Sequence, residues 1–121
     1  MTPLTLTHQN LPGVTMIMVA GELDITNHEQ LLTFMVQARQ RPADQVVFDL
    51  TELRFMDSSG LRAVLACRSD ALQCGGDVRV AAPRPGPAQL FEITGIDLRM
   101  SVHVTVEQAL FIAMKAAEPA T

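Results

Sequence analysis

The stretch Val46-Val47-Phe48-Asp49-Leu50-Thr51-Glu52-Leu53-Arg54-Phe55-Met56-Asp57-Ser58-Ser59-Gly60-Leu61-Arg62-Ala63-Val64-Leu65-Ala66 decides how the chain folds. Its opening, Val46 to Leu50, is short, apolar and β-branched at the start, which predicts a buried strand. Phe55-Met56 then leads into a polar knot, Asp57-Ser58-Ser59-Gly60. From Leu61 onward the apolar residues Leu61, Val64, Leu65 and Leu72 recur at helical spacing. Asp57, Ser58 or Ser59 can cap that helix, since a short side-chain oxygen accepts from an amide that has no partner inside the helix. Two serines therefore stand at the positive end of a helix, where added negative charge is tolerated.

Upstream, Leu4 to Thr7 alternates and predicts a first short strand, followed by turn chemistry at Asn10-Leu11-Pro12-Gly13. Val14 to Ala20 predicts a second strand. Val14, Met16, Met18 and Ala20 fall on one face and Ile17 and Val19 on the other, so both faces call for cover. A tight antiparallel hairpin is the simplest link between the two strands. After Gly21-Glu22-Leu23-Asp24, the run Thr26-Asn27-His28-Glu29 has the form of a capping box. The helix it opens offers Leu31, Phe34, Met35 and Ala38 to a core and stops by Arg41, ahead of Pro42.

Downstream, Gly75-Gly76 ends the Leu61 helix, and Asp77 to Ala81 alternates as another strand. Ala82-Pro83-Arg84-Pro85-Gly86-Pro87 is a stiff loop. Pro87 suits the first position of a short helix anchored by Leu90, Phe91 and Ile93 and closed by Gly95. Leu98 to His103 reads as a weaker final strand. Thr105-Val106-Glu107-Gln108 is a second capping box, opening a helix with Val106, Leu110, Ala113, Met114 and Ala117 on its apolar side. Phe111 and Ile112 lie off that stripe, and Glu118 to Thr121 reads as a frayed tail. The order β-β-α-β-α-β-α-β-α predicts one α/β domain over residues 1–121: a mixed, mostly parallel sheet of four to five strands with about four packed helices.

The totals narrow the function. A formal net charge of −4 opposes a general nucleic-acid binder. Eight of the nine basic residues are arginines, placed singly, which suits paired or interface positions. The two cysteines, Cys67 and Cys74, are seven residues apart in one predicted helix, about 10.5 Å along its axis. A disulfide needs Cα atoms within about 7 Å, so the pair stays reduced. The N-terminal residues carry no signal pattern, and no long apolar run predicts a membrane span. These features predict a soluble, cytoplasmic protein, monomeric in isolation.

Enzymatic motifs fit poorly. A serine hydrolase wants Gly-x-Ser-x-Gly, but Met56 stands where the first glycine belongs, and His8, His28 and His103 carry no second signature. A phosphate-binding loop needs Gly-Lys-Ser/Thr, and the sole lysine is Lys115. The acidic residues form no metal-ligand cluster, so neither cofactor nor metal is expected. Two readings of the serine pair remain: helix capping alone, or capping plus a phosphorylatable hydroxyl.

Phe55-Met56-Asp57-Ser58-Ser59-Gly60-Leu61 resembles the signature of the STAS domain family, and within it that of the bacterial anti-sigma factor antagonists. Gly21-Glu22-Leu23-Asp24 is similar to a second motif of that family, and Leu90-Phe91-Glu92-Ile93-Thr94-Gly95-Ile96 to a third. The resemblance implies a non-enzymatic partner-switching regulator. Its unphosphorylated form would bind a cognate anti-sigma factor that is also a serine kinase, releasing a sigma factor. Phosphorylation of Ser58 would end binding, and a serine phosphatase would reset the cycle. Ser59 is the alternative acceptor, but the expectation is that it caps the helix and stays unmodified. Asp24, Glu22, Asp57, Ser58, Ser59, Gly60 and Arg62 would form the docking surface, with Asp24 equally readable as a helix-entry cap two residues before Thr26. Pro83, Pro85 and Pro87 depart from the simpler Ser-Pro or Asn-Pro approach to the family's third helix. Other members serve as scaffold or sensory modules of stress-signalling or transport complexes.

Overall fold

The computed structural model describes residues 2–119; Ala120 and Thr121, half of the expected tail, lie outside them. Strand β1 (Thr5–Leu11) turns through Pro12-Gly13 into β2 (Val14–Leu23), and the two pair antiparallel. Gly13 takes a positive φ of 73°, which closes this two-residue hairpin. Helix α1 (Glu29–Ala38) then crosses to β3 (Gln45–Asp49), which pairs parallel with the first half of β2. After a turn the chain adds β4 (Leu53–Met56), parallel to the second half of β2. Helix α2 (Ser58–Gln73), β5 (Val78–Ala81), α3 (Pro85–Ile93), a 3-10 turn (Ile96–Leu98), β6 (Val102–His103) and α4 (Val106–Ala117) complete the order.

The sheet runs β1-β2-β3-β5-β6, with β4 on β2, and every pairing after the first is parallel. The expected α/β class is borne out, with β4 as a sixth strand beyond the four to five read from sequence.

Both faces of the sheet are covered, unequally. On one face Ile17, Val19, Phe48 and Val80 meet Leu31 and Met35 of α1, Val64 and Cys67 of α2, and Phe91 of α3 in one buried cluster. On the other, Val14, Val47 and Ala81 meet Ala109 and Ala113 of α4. Cover on the α4 side fades along β2, from buried Val14 through half-buried Met16 to Met18, which is 42% exposed. Arg39 and Asp70 join α1 to α2 by an ion pair of 2.6 Å, and Arg68 joins Asp77 at 3.1 Å, so two of the singly placed arginines are paired. Burial, with Asp70 adding to it, pushes the Cys67 thiol up to about 12, so it packs as an apolar group. Cys67 and Cys74 are both free thiols.

Several local expectations need correction. Helix α3 starts at Pro85, not Pro87, with Arg84 ahead of it. Of the expected anchors, Phe91 is buried and Leu90 packs half-buried against the core, with Pro87 also buried, while Ile93 is 73% exposed and anchors nothing. The expected strand Leu98–His103 shrinks to Val102–His103, because the preceding residues wind into the 3-10 turn after Gly95. On α4, Met114 leaves the stripe for solvent and Ala109 takes a core position. Thr105 does cap α4, accepting from the Gln108 N–H at 3.1 Å.

Candidate functional site

The Gly21-Glu22-Leu23-Asp24 and Asp57-Ser58-Ser59-Gly60 segments are far apart in sequence and meet at the carboxyl end of the sheet. Strand pairing brings them there: Leu23 lies opposite Met56 in the β2–β4 ladder, and the Asp57 N–H donates to the Leu23 carbonyl at 3.3 Å. Gly60 closes the junction. A Cβ at that position would stand 2.7 Å from the Leu23 carbonyl oxygen and 2.7 Å from Met56 Cγ, so only glycine lets the first turn of α2 cross the end of β2.

The cap of α2 is Asp57. Its backbone is extended, and its Oδ1 accepts from the Gly60 N–H at 3.0 Å. Ser59, expected as the cap, is instead the second residue of the helix and half-buried. The reason is that α2 begins at Ser58, two residues earlier than a cap at Ser59 requires. Ser58 is the first helical residue and is exposed. The amides of these first positions have no intrahelical acceptor, so the serine pair borders a small electropositive end.

The Thr26 capping box does not form. The Thr26 hydroxyl donates to Asp24 Oδ1 at 2.6 Å, and the Thr26 N–H donates to the same oxygen at 2.9 Å. The chain makes a further turn, with the Asp24 carbonyl accepting from Asn27 and His28, before α1 starts at Glu29 without a side-chain cap. Asn27 completes the loop: its amide donates to the Glu22 carbonyl at 2.9 Å, and its Oδ1 accepts from the Asp24 N–H at 2.9 Å. The Thr26 hydroxyl, followed by the Thr26 amide, holds the Asp24 carboxyl below its ordinary range. Asp24 is thus charged and tied to the Thr26 turn rather than capping α1, as the helix-entry alternative expected, and it follows Leu23, whose carbonyl accepts from the Asp57 N–H. Glu22 accepts from the Thr2 N–H at 2.8 Å. Asn27 was missed from sequence, although an asparagine three residues after an aspartate in a turn is itself a signal.

Arg62 is exposed one turn into α2. A groove of about 450 Å³ separates it from α1, with His28, Glu29 and Leu32 on one wall and Arg62, Ala63 and Ala66 on the other. The other two histidines lie elsewhere: His8 packs edge-on against Phe34, with ring centres 5.7 Å apart, and His103 is on β6. Among the described residues no three His, Cys, Asp or Glu side chains converge as metal ligands, and no helix is long and apolar enough to cross a membrane. Large apolar side chains stand exposed on the two segments that meet here: Ile25, next to Asp24, at 71% and Phe55, on β4, at 48%. An exposed helix start next to fixed acids, on segments that carry exposed apolar side chains, suits docking of another protein.

The STAS domain family model matches residues 5–109, and the chain belongs to that family. It is 31% identical over 99 residues to the anti-sigma F factor antagonist of Paenibacillus polymyxa, covering 81% of this chain and 85% of that one. The anti-sigma factor antagonist SpoIIAA in its unphosphorylated form superposes with a TM-score of 0.73 at 23% identity, over 93% of this chain and 97% of that chain. A sulfate transporter family protein from Wolinella succinogenes has the same fold, with a TM-score of 0.77 at 14% identity, over 92% and 93% of the two chains.

Proposed function

We propose that this protein is an anti-sigma factor antagonist working by partner switching. Unmodified, it docks on an anti-sigma factor that is also a serine kinase and frees the sigma factor. The observation that carries this reading is the exposed Ser58 hydroxyl at the first position of α2, beside the loop of Glu22 and Asp24. The likeness to the Paenibacillus antagonist supports it. The protein itself is a binding partner without catalysis, in the cytoplasm. ATP belongs to the kinase: Ser58 Oγ bonds the γ-phosphorus, the bond to the β-phosphate oxygen breaks, ADP leaves, and the hydroxyl proton passes to a base of the kinase. A serine phosphatase removes the group.

The phosphoryl group adds roughly −1.5 to −2 charges at neutral pH. The helix start favours that charge by ~0.3–1 kcal/mol, and adjacent Asp57 opposes it, so the fold changes little. At an interface the balance differs. Two charges about 5 Å from one partner carboxylate cost on the order of 6 kcal/mol at an effective dielectric near 20, before relaxation. Half of that weakens docking by about a hundredfold. Covering the phosphate with a partner's surface adds the cost of desolvating it.

Calorimetric titration of the anti-sigma partner tests the switch. Ser58→Ala should bind as tightly as the unmodified protein, and Ser58→Asp should bind at least tenfold more weakly. Equal affinities overturn the proposal. Capture of a transport or other multisubunit assembly by Ser58→Ala, with no kinase, would turn the reading toward a scaffold module.

A further inference from the structure

Ser58, Arg62 and Ala66 follow one another at intervals of four residues on α2, so their side chains share one row of the helix surface. Arg62 is exposed and belongs to none of the ion pairs formed among the described residues, which are Arg39–Asp70, Arg68–Asp77 and Lys115–Glu118. The nearby acids are occupied or set apart: Asp57 accepts from the Gly60 N–H, Asp24 from Thr26, and Glu29 stands with His28 on the opposite wall of the groove. A negative group placed four residues before an arginine has the favourable order for a pair along a helix.

We propose that Arg62 is the intramolecular counter-ion of phosphorylated Ser58; this rests on the reading of Ser58 as the acceptor. The guanidinium reaches back one turn and donates to the phosphate oxygens, while the free amides of the first turn favour the same charge. The pairing has two effects. It holds the phosphate against α2 and offsets its repulsion by Asp57. It also withdraws from the docking surface the arginine that a partner carboxylate would meet in the unmodified protein. Phosphorylation then acts by adding charge and by taking a cation away.

The test uses full-length protein with phosphoserine installed at position 58 by genetic-code expansion, so no kinase is needed. The second ionisation of the phosphate is followed by phosphorus NMR across a pH titration in the parent, Arg62→Gln and Arg62→Lys proteins. With arginine present the midpoint should lie lower than in Arg62→Gln by about half a pH unit, as for an exposed pair. Lysine should recover part of the difference, and high salt should collapse it. His28 and Glu29 are common to all three proteins and cancel in the comparison. Superimposed titrations, or a lower midpoint in Arg62→Gln, overturn the proposal. Because the phosphate is installed directly, this result is independent of the docking titration with Ser58→Ala and Ser58→Asp, and either proposal can fail alone.

Discussion

A methyl group at position 60 would sit 2.7 Å from both a carbonyl oxygen of β2 and a side chain of β4. That separation is closer than real contacts allow, and the oxygen belongs to backbone that cannot yield. Gly60→Ala should therefore destabilise by ~1–3 kcal/mol, the usual cost of overpacking, and should loosen the start of α2 that presents Ser58. Gly86 is the contrasting position, since a Cβ there meets nothing within 4 Å beyond its chain neighbours. Gly86→Ala should stay within about 0.5 kcal/mol of the parent. Urea unfolding of the two variants measures the contrast, and equal midpoints would remove the packing account of the motif glycine. Gly21 has a related role: its φ is +94°, and a side chain would run into the Pro3 carbonyl. Two glycines of the two motifs are thus required by backbone shape, whatever docks nearby.

Among the elements, α2 depends most on its first residue before the helix. Removing the carboxylate in Asp57→Ala leaves the Gly60 amide without its acceptor and takes negative charge from the positive helix end, at a cost of about 1 kcal/mol. Ser59→Ala should be neutral within about 0.5 kcal/mol, since the serine sits inside the helix. The reverse ranking in urea melts would restore Ser59 as the cap. The sequence allowed Asp57, Ser58 or Ser59 and the reading favoured Ser59, whereas Asp57 is the cap, because the choice depends on where β4 releases the chain. That strand was itself invisible. Leu53 and Met56 are buried while Arg54 and Phe55 are exposed, and Gly21 and Glu22 pair with Leu53 and Phe55. The irregularity erases the period-two signature by which a strand is read. The two capping boxes show the same limit. Thr105 and Thr26 begin patterns of the same capping-box form, but only Thr26 follows an aspartate two residues back that accepts its hydroxyl hydrogen. Long periodic elements such as α2 and β2 were legible because burial enforces their pattern. The serine–glycine knot was legible because turn and cap chemistry is local; its meeting with the Asp24 loop follows from strand pairing that no local pattern contains.

On the scale of the whole molecule, parallel pairing delivers the ends of β2 and β4, and with them Asp24 and Ser58, to one rim of the sheet, where α/β folds place their working loops. The β6 edge lies across the sheet from β4 and carries His103, whose Nε2 is buried without a hydrogen-bond partner among the described residues. Burial first, and then the Arg79 guanidinium, hold the imidazole below its ordinary value of 6.5, while Gln108 pulls it partly back. A folded-state value below the unfolded one means that the unfolded chain takes up the proton first. The stability carried by the neutral ring is thus complete above about pH 6.5 and is lost as pH falls through the folded value. Urea midpoints of the parent protein should drop between about pH 7.5 and about pH 5.5 more steeply than those of His103→Gln. His8 and His28 are present in both proteins and cancel in the difference. The affinity of the folded protein for its partner should not follow this edge, because β3 and β5 stand between β6 and β2. Parallel midpoint curves for the parent and His103→Gln proteins would show that the ring gains a proton as readily folded as unfolded, and the buried-imidazole account of this edge would be wrong.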